Sequence, residues 1–265
     1  MKKLTSLLTF IALFVFVIPV FAQSNPMEVG AKDPQTGVEP PVEVIKIYKE
    51  EKFRMAYVKG CKRGPFQPNK FISRGEAAVF LARLSQQRME PTGKKKTGFS
   101  DASNAWYSPS INDVVSKGFM KGYPGNLFYP EHPISRAEFM TMISRADKKA
   151  STEHPFTDLR GHWAAETIGM AYNNGRIKGF PDGTFRPNGN VTRAEAITIF
   201  NNLFERHTDN LSFRNTKKLH EMTSFVDVKP ADWFYFEIMD AANDHFTYLR
   251  DVNGKAEDWV RVGRD

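Results

Sequence analysis

Residues 99–138 read FSDASNAWYSPSINDVVSKGFMKGYPGNLFYPEHPISRAE, and residues 156–195 read FTDLRGHWAAETIGMAYNNGRIKGFPDGTFRPNGNVTRAE. The two stretches align without a gap at an offset of 57 residues, as Trp106 and Trp163 show. They share aromatic residues, glycines, prolines and a Ser/Thr-Arg-Ala-Glu tetrapeptide in the same order. An ungapped match of this kind indicates an internal duplication.

Parts of the same unit stand at both ends of the chain. Upstream, Phe66-Gln67-Pro68 and Ile72-Ser73-Arg74-Gly75-Glu76 match its second half at an offset of 62 residues. Downstream, Phe225-Val226-Asp227 and Trp233 match its first half. We therefore expect three copies, with the outer two degenerate at opposite ends. The predicted repeats are 45–92 (degenerate first half), 93–149 and 150–210, with a terminal half-repeat at 221–265 that completes the bundle.

Each unit is predicted to form a helix, a loop and a second helix. In the second full copy the first helix carries one apolar face and stops at Gly175, and the second begins at Thr192. The two apolar faces consist of Trp163, Ala164, Ile168, Ala171 and Tyr172, and of Ala196, Ile199, Phe200 and Leu203. A unit of this size cannot bury its apolar stripe alone, so the copies must pack on one another. The predicted fold class is mainly α: three tandem helix-loop-helix repeats.

The first 44 residues differ from the rest. Residues 1–22 combine Lys2 and Lys3 with an apolar stretch and end in Val20-Phe21-Ala22, which is typical of a secretory signal peptide. Residues 23–44 contain four prolines and are predicted to form an exposed linker. No later stretch is long and apolar enough to span a membrane, so we expect no transmembrane segment after signal cleavage.

Composition, net charge and cysteine content exclude several kinds of partner and site for this protein. The chain is 41% hydrophobic and 25% charged with a net charge of +7, which is typical of a folded, basic protein. A basic exported protein meets anionic wall polymers or lipids before nucleic acid, so we expect no nucleic-acid partner. Cys61 is the one cysteine, which excludes a disulfide framework and a cysteine-rich metal site. No metal or other cofactor is expected.

The repeated unit resembles the S-layer homology motif, the wall-anchoring repeat of bacterial surface proteins. The Phe-x-Asp … Trp opening, the Gly-Tyr/Phe-Pro turn, the Phe-x-Pro step and the Ser/Thr-Arg-Ala-Glu tetrapeptide carry this resemblance over roughly residues 45–265. The resemblance implies a pseudo-threefold bundle at the cell wall or S-layer. It also implies grooves between repeats that hold secondary cell wall polysaccharide, linked to peptidoglycan, through a pyruvate ketal on N-acetylmannosamine.

The tetrapeptide has a local meaning of its own. A Ser or Thr followed three residues later by Glu forms a helix capping box, the role we assign to Ser73 with Glu76, Ser135 with Glu138, and Thr192 with Glu195. The arginine between them needs no capping role and lies beside the positive end of the helix dipole. Spacing alone leaves carboxylate binding and an inter-repeat salt bridge equally open, and the resemblance favours ligand binding by Arg74, Arg136 and Arg193.

Three further sets are candidate ligand-binding residues. The repeated tryptophans either belong to the core, which we favour, or stack on a sugar face: Trp106, Trp163 and Trp233. The repeated aspartates either bond sugar hydroxyls or form Asx turns, which we favour: Asp101, Asp158 and Asp227. The glycine-aromatic pairs either approach a ligand or form tight turns: Gly122 with Tyr123, and Gly179 with Phe180.

The outer copies depart from this pattern. Gly75 replaces the alanine of the tetrapeptide, Cys61 stands where the other copies have Tyr123 or Phe180, and His245 stands where they have glycine. No Phe-x-Asp … Trp opening precedes the first copy, and no Arg-Ala-Glu follows His245. Residues 250–259 read as a turn between two short segments. The sequence thus supports two or three usable grooves.

The sequence favours an anchoring function over an enzymatic one. The chain has no H-E-x-x-H, G-x-S-x-G or P-loop motif, and the repeated acidic residues have structural explanations. We therefore expect no catalytic residues and a secreted, non-catalytic module that attaches to the wall. Wall-polysaccharide processing is a weaker alternative. Because the repeats fill the chain after the linker, a stand-alone wall protein, an adaptor that holds another surface protein and a gene fragment stay open.

Overall fold

The computed structural model describes residues 50–59, 64–251 and 254–264. The predicted signal peptide at 1–22, the predicted linker at 23–44 and Cys61 lie outside them. The described residues form six α-helices, three β-strands and two single turns of 3-10 helix, at Thr157–Leu159 and Leu219–Glu221. The helices are α1 (Arg74–Gln86), α2 (Ser108–Ser116), α3 (Arg136–Ala146), α4 (Ala165–Asn173), α5 (Arg193–Leu203) and α6 (Tyr235–Ala242). The strands are β1 (Lys52–Arg54), β2 (His245–Leu249) and β3 (Glu257–Val262).

The predicted mainly α fold is confirmed. The second helix of each unit packs against the first helix of the next unit, which pairs α1 with α2, α3 with α4, and α5 with α6. Phe80, Phe139 and Phe200 bring α1, α3 and α5 together, because the ring centroid of Phe200 lies 6.3 Å from that of Phe80 and 5.2 Å from that of Phe139. No helix among the described residues is long and apolar enough to cross a membrane.

A closed triangle of backbone hydrogen bonds relates the three units. The amide of Ile72 donates to the carbonyl of Val191 at 2.9 Å, that of Ile134 to Ile72 at 3.1 Å, and that of Val191 to Ile134 at 3.2 Å. All three side chains are fully buried. Each residue immediately precedes the Ser or Thr that caps α1, α3 or α5, so the repeated motif itself builds a pseudo-threefold centre.

One unit is assembled from both ends of the chain. In the central units the Phe of Phe-x-Asp packs on the Phe of the following Phe-x-Pro, with centroids 5.5 Å apart in both the Phe99–Phe128 and Phe156–Phe185 pairs. The same contact joins Phe225 to Phe66 at 5.0 Å. The segment from Phe225 through α6 therefore supplies the first half of a unit whose second half contains α1.

A small antiparallel sheet joins the two ends. Its order is β1-β2-β3, and β1 lies where the first repeat lacks its Phe-x-Asp … Trp opening. The segments flanking the predicted turn near 250–259 are β2 and β3. His245, at the glycine position of the motif, begins β2, is fully buried and stacks on Trp259 with centroids 3.6 Å apart. The chain therefore continues as a strand after α6.

Candidate functional site

The repeated arginines and glutamates form a ring of ion pairs around the pseudo-threefold centre. Each arginine contacts the glutamate of the next unit in the cycle, at 3.2 Å for Arg74–Glu138, 3.1 Å for Arg136–Glu195 and 2.5 Å for Arg193–Glu76. The inter-repeat salt bridge considered from the sequence is therefore present at all three positions. Whether an arginine also contacts a ligand depends on the nitrogens that remain free.

Each arginine is further fixed by the Phe-x-Pro step. The Nε atoms of Arg74, Arg136 and Arg193 donate to the carbonyl oxygens of Phe128, Phe185 and Phe66 at 2.9, 2.9 and 3.1 Å. Each guanidinium also lies 4.6–4.9 Å from the ring centroid of that phenylalanine. Burial lowers the pKa of Arg136 and Arg193, and the charges of Glu195 and Glu76 oppose this shift.

The glutamates combine two structural roles. Ser73, Ser135 and Thr192 each accept the amide hydrogen of the glutamate three residues on, and each glutamate accepts the amide of its own cap residue. The second carboxylate oxygen of Glu138 accepts from Arg74. Burial acts to raise the pKa of Glu138, but hydrogen bonds from Tyr123 and Ser135 and the charge of Arg74 lower it overall. This carboxylate is therefore ionised at neutral pH.

One groove brings candidate residues from three copies of the motif together. It contains Arg74 of the first copy, Gly122 and Tyr123 of the second, and Trp163 of the third, and has a volume of about 160 Å³. We call it the Tyr123 groove. The Tyr123 hydroxyl donates to Glu138, and burial together with this hydrogen bond raises the pKa of Tyr123 to about 12. The other lining residues are Phe119, Met120, Lys121, Glu138, Thr141, Met142 and Arg145.

The three repeated tryptophans lie on the surface. Trp106, Trp163 and Trp233 are 63, 65 and 64% exposed, so the alternative that placed them in the core is wrong. Each packs edge-on or tilted against an adjacent aromatic ring, namely Tyr107, His162 or Phe234. An exposed indole that packs against one neighbouring ring can still stack on a sugar ring.

The repeated aspartates are engaged by the backbone of the Phe-x-Pro step. Asp101 accepts the amides of Phe128 and Tyr129 at 2.9 and 2.7 Å, and Asp158 makes the same pair of bonds to Phe185 and Arg186. Asp227 accepts from Phe66 and Gln67, both at 2.7 Å. The Asx turn that we favoured from the sequence is therefore wrong, because the amides that each aspartate binds lie far away in the sequence. The second residue of each pair has positive φ: Gln67 61°, Tyr129 56° and Arg186 60°.

The two glycines serve close contact within their units. A Cβ atom added at Gly122 or Gly179 would lie 2.2 Å from the ring of Phe99 or Phe156, respectively. Gly179 also has φ +77°, which favours glycine in that turn. The glycines therefore allow the Phe-x-Asp phenylalanine to pack beneath the turn that presents Tyr123 or Phe180.

Two cationic groove residues were not predicted from the sequence. Lys121 and Arg145 line the Tyr123 groove and are exposed. Lys121 belongs to the repeated motif. For Arg145, helical spacing alone could have indicated a place in the groove, because it follows Glu138 by seven residues and therefore shares a face of α3 with it. Since the second full copy has Asn202 at that position, the repeat did not single Arg145 out.

A second set of residues corresponds to this groove one unit further on. We call Arg136, Gly179, Phe180 and Glu195, together with Trp233 as the counterpart of Trp163 in the repeat, the Phe180 site. The guanidinium carbons of Arg136 and Arg186 lie 5.0 and 3.9 Å from the Phe180 ring centroid. At the third position Arg193 and Trp106 correspond, but Cys61, the counterpart of Tyr123, is outside the described residues.

Comparison with known proteins identifies the family. The family model of the S-layer homology domain matches residues 98–140 and 155–197. The chain carries S-layer homology domains. These SLH units are 33% identical over 214 residues to cell surface glycoprotein 1 of Acetivibrio thermocellus, and 31% identical over 208 residues to a cellulosome-anchoring protein of that organism. The matches cover 76 and 75% of this chain.

The relatives are much longer than the matched region. The chain spans 9% of cell surface glycoprotein 1 and 44% of the cellulosome-anchoring protein. An S-layer protein of Bacillus licheniformis is 34% identical over 144 residues, which cover 52% of this chain and 16% of that protein. The SLH family and these relatives place the chain at the cell surface or wall. The SLH part of the chain is a non-catalytic anchoring module.

Proposed function

We propose that the SLH units attach this protein to the cell wall by binding a pyruvylated wall polysaccharide in grooves between neighbouring units. The observation that carries this proposal is the Tyr123 groove, in which Arg74, Tyr123 and Trp163 come from three successive copies of one motif. A ligand there would contact several units at once. Its binding would therefore require the assembled bundle.

The chemistry of the groove suits an acidic sugar. The exposed Trp163 indole offers a flat apolar face to a pyranose ring, and Lys121 and Arg145 offer positive charge to a carboxylate. The formal net charge of +7 adds long-range attraction to an anionic polymer. Several such sites on one body would bind a repeating polymer by avidity, because the second contact forms at high effective concentration.

The repeated acidic residues support a binding role rather than catalysis. Asp101 and Asp158 accept two backbone amides each, and Glu138 is held by Ser135, Tyr123 and Arg74. A general acid or base needs a carboxyl group that can exchange a proton with substrate. We therefore infer that the chain is not an enzyme. The name of the cellulosome-anchoring relative also supports a binding role rather than a catalytic one.

The test is co-sedimentation of the purified protein with bacterial wall sacculi, before and after mild acid removes ketal-linked pyruvate. We expect binding to untreated sacculi and its loss after acid. Trp163→Ala combined with Trp233→Ala should weaken binding, because both indoles are exposed and their removal leaves the fold intact. Leu219→Ala, an exposed apolar residue outside the groove lining, is the matched control and should bind normally.

Two other outcomes of the co-sedimentation experiment would contradict the proposal. Binding that survives acid treatment would contradict recognition of pyruvate and indicate general attraction to polyanions. No binding to any sacculi would contradict wall attachment and favour the adaptor alternative, in which the exposed face holds another surface protein.

A further inference from the structure

The repeated arginines are not equally available to a ligand, and this difference bears on the proposed function. Arg74 is 4% exposed. Its Nε, Nη1 and Nη2 atoms donate to the Phe128 carbonyl, the Glu138 carboxylate and the Lys121 carbonyl at 2.9, 3.2 and 3.0 Å. A bidentate grip on a carboxylate needs two parallel N–H groups of one guanidinium. Arg74 would have to break existing bonds to provide them.

Arg136 is held less completely at the Phe180 site. Its Nε and Nη1 atoms donate to the Phe185 carbonyl and to Glu195, and within the described residues Nη2 has no protein partner. Its side chain is 12% exposed, against 5% for Arg74. Arg186 lies against the same Phe180 ring and adds positive charge. The N–H groups of Nη2 are therefore open to an anion, as a contact through one nitrogen.

The Tyr123 groove offers a different guanidinium. Arg145, in the last turn of α3, is exposed, and its Nη1 donates to the Phe119 carbonyl at a long 3.3 Å. Lys121, also exposed, lines the same groove. Asn202 stands in place of Arg145 at the Phe180 site. Each site therefore has an available guanidinium, but from a different position in the repeat.

We propose that the two sites bind the same carboxylate-bearing sugar through different arginines. In the Tyr123 groove Arg145, assisted by Lys121, binds the carboxylate, Trp163 stacks on the sugar, and Arg74 only positions the groove walls. At the Phe180 site Arg136 binds the carboxylate and Trp233 stacks on the sugar. This proposal rests on the proposed function and assigns its binding residues site by site.

The experiment uses the tryptophans as reporters. The indole N–H signals of Trp163 and Trp233 are followed by NMR in the ¹⁵N-labelled protein while the methyl glycoside of pyruvylated N-acetylmannosamine is added. Single Trp→Phe variants assign the signals, and buried Trp259 is an internal reference. We expect both exposed indoles to shift. Arg145→Gln should weaken binding about tenfold at Trp163, the loss of one charged hydrogen-bonding group, and leave Trp233 unchanged.

The matched variants extend the test. Arg145→Lys keeps the charge without the planar fork and should bind with intermediate affinity. Arg88→Gln, an exposed arginine outside the groove lining, should change neither site. Asn202→Arg should tighten binding at Trp233. Arg136→Gln should weaken binding at Trp233 alone, with a thermal melt to verify that the protein stays folded.

The failures of the two proposals are distinguishable. If both indoles shift in the unaltered protein but Arg145→Gln leaves the affinity at Trp163 unchanged, the assignment of Arg145 is wrong and the proposed function stands. Equal weakening of both sites by Arg145→Gln also overturns the assignment. If neither indole shifts with the unaltered protein, recognition of this sugar is wrong and both proposals fall.

Discussion

The two central units and the unit assembled from the chain ends make the same repeated contacts within different surroundings. Asp101 and Asp158 each bridge 27 or 28 residues, whereas Asp227 makes the same pair of bonds across 160 and 161 residues. Among the described residues, the sheet and the ion pairs Arg54–Glu257 and Arg206–Asp240, whose side chains are at most 7% exposed, flank the assembled unit. Where the motif stops, buried charges and strands join the ends.

Buried charge makes the assembled unit sensitive to single substitutions. Breaking a buried ion pair by removing one partner leaves an uncompensated charge, which is strongly destabilising. The repeated ion pairs of the central units are less completely buried, because the side chains of Glu138 and Glu195 are 25 and 31% exposed. The same pseudo-threefold geometry is therefore reached by two kinds of interaction, which single substitutions can separate.

Asp240→Ala should have the largest effect. Asp240 is fully buried and accepts from Arg206 and from the Thr208 hydroxyl, and His245 lies 3.5 Å away. Although burial acts to raise it, the charge of Arg206 holds the pKa of Asp240 far below its ordinary value. We predict a loss of about 3–5 kcal/mol in the free energy of unfolding at pH 7, measured by urea unfolding and far-UV circular dichroism. Asp182→Ala, at an exposed pair, should show no comparable loss, and similar losses for both would contradict the comparison.

Asp227→Ala should come next. It removes the acceptor of two backbone amides, and hydrogen bonds to a charged group suggest a loss of about 2–4 kcal/mol. Asp158→Ala removes the same bonds and should cost a similar amount. The two should differ in hydrogen exchange: Asp227→Ala should speed exchange in both α1 and α6, and Asp158→Ala within its own unit. Identical exchange patterns would show that the end-to-end contact has no special role.

Glu237 predicts a pH dependence specific to the assembled unit. Glu237 occupies the position of the motif that Thr167 occupies in a central unit, because each immediately precedes the corresponding isoleucine, Ile238 or Ile168. The Glu237 carboxylate accepts a hydrogen bond from the Asn201 side chain at 2.6 Å. Burial raises the pKa of Glu237 from 4.5 to about 7. A raised pKa stabilises the folded state below pH 4.5, and this contribution is lost as the pH rises through 7.

Glu237→Gln should remove this dependence. We predict that the variant gains about 2–3 kcal/mol relative to the unaltered protein at pH 8, and that the difference disappears near pH 4. Urea unfolding over this pH range measures it. A constant difference at all pH values would show that Glu237 does not titrate in this way. Thr167→Ala, at the corresponding place in a central unit, should show no pH-dependent difference.

Trp163→Ala and Trp233→Ala should have the smallest effect on stability. Both indoles are about two thirds exposed, at 65 and 64%, so each variant should lose less than about 1 kcal/mol. Trp259→Ala removes a buried indole and should cost about 3–5 kcal/mol. Thermal and urea unfolding compare the three. A large loss at Trp163 would return that residue to a structural role and weaken its use as a binding reporter.

Much of the fold was predictable because its contacts repeat. The motif spacing predicted the helices that begin at Arg136 and Arg193, their capping residues and the bundle of three units. The exposure of Trp106, Trp163 and Trp233 was not predictable from spacing, since a repeated tryptophan more often belongs to the core. The partners of Asp101 and Arg74 lie in segments that approach only when the units assemble.

The repeat, the helix starts and the family were readable from the sequence, because local capping and apolar periodicity act within a few residues. Tertiary structure alone decided how Phe225 meets Phe66, which arginine nitrogens are already bonded, and how Arg145 joins Arg74, Tyr123 and Trp163 in one groove. These outcomes depend on contacts between segments distant in the sequence, such as Arg74 and Lys121, which are 47 residues apart. No local pattern specifies which of several similar partners a segment will meet.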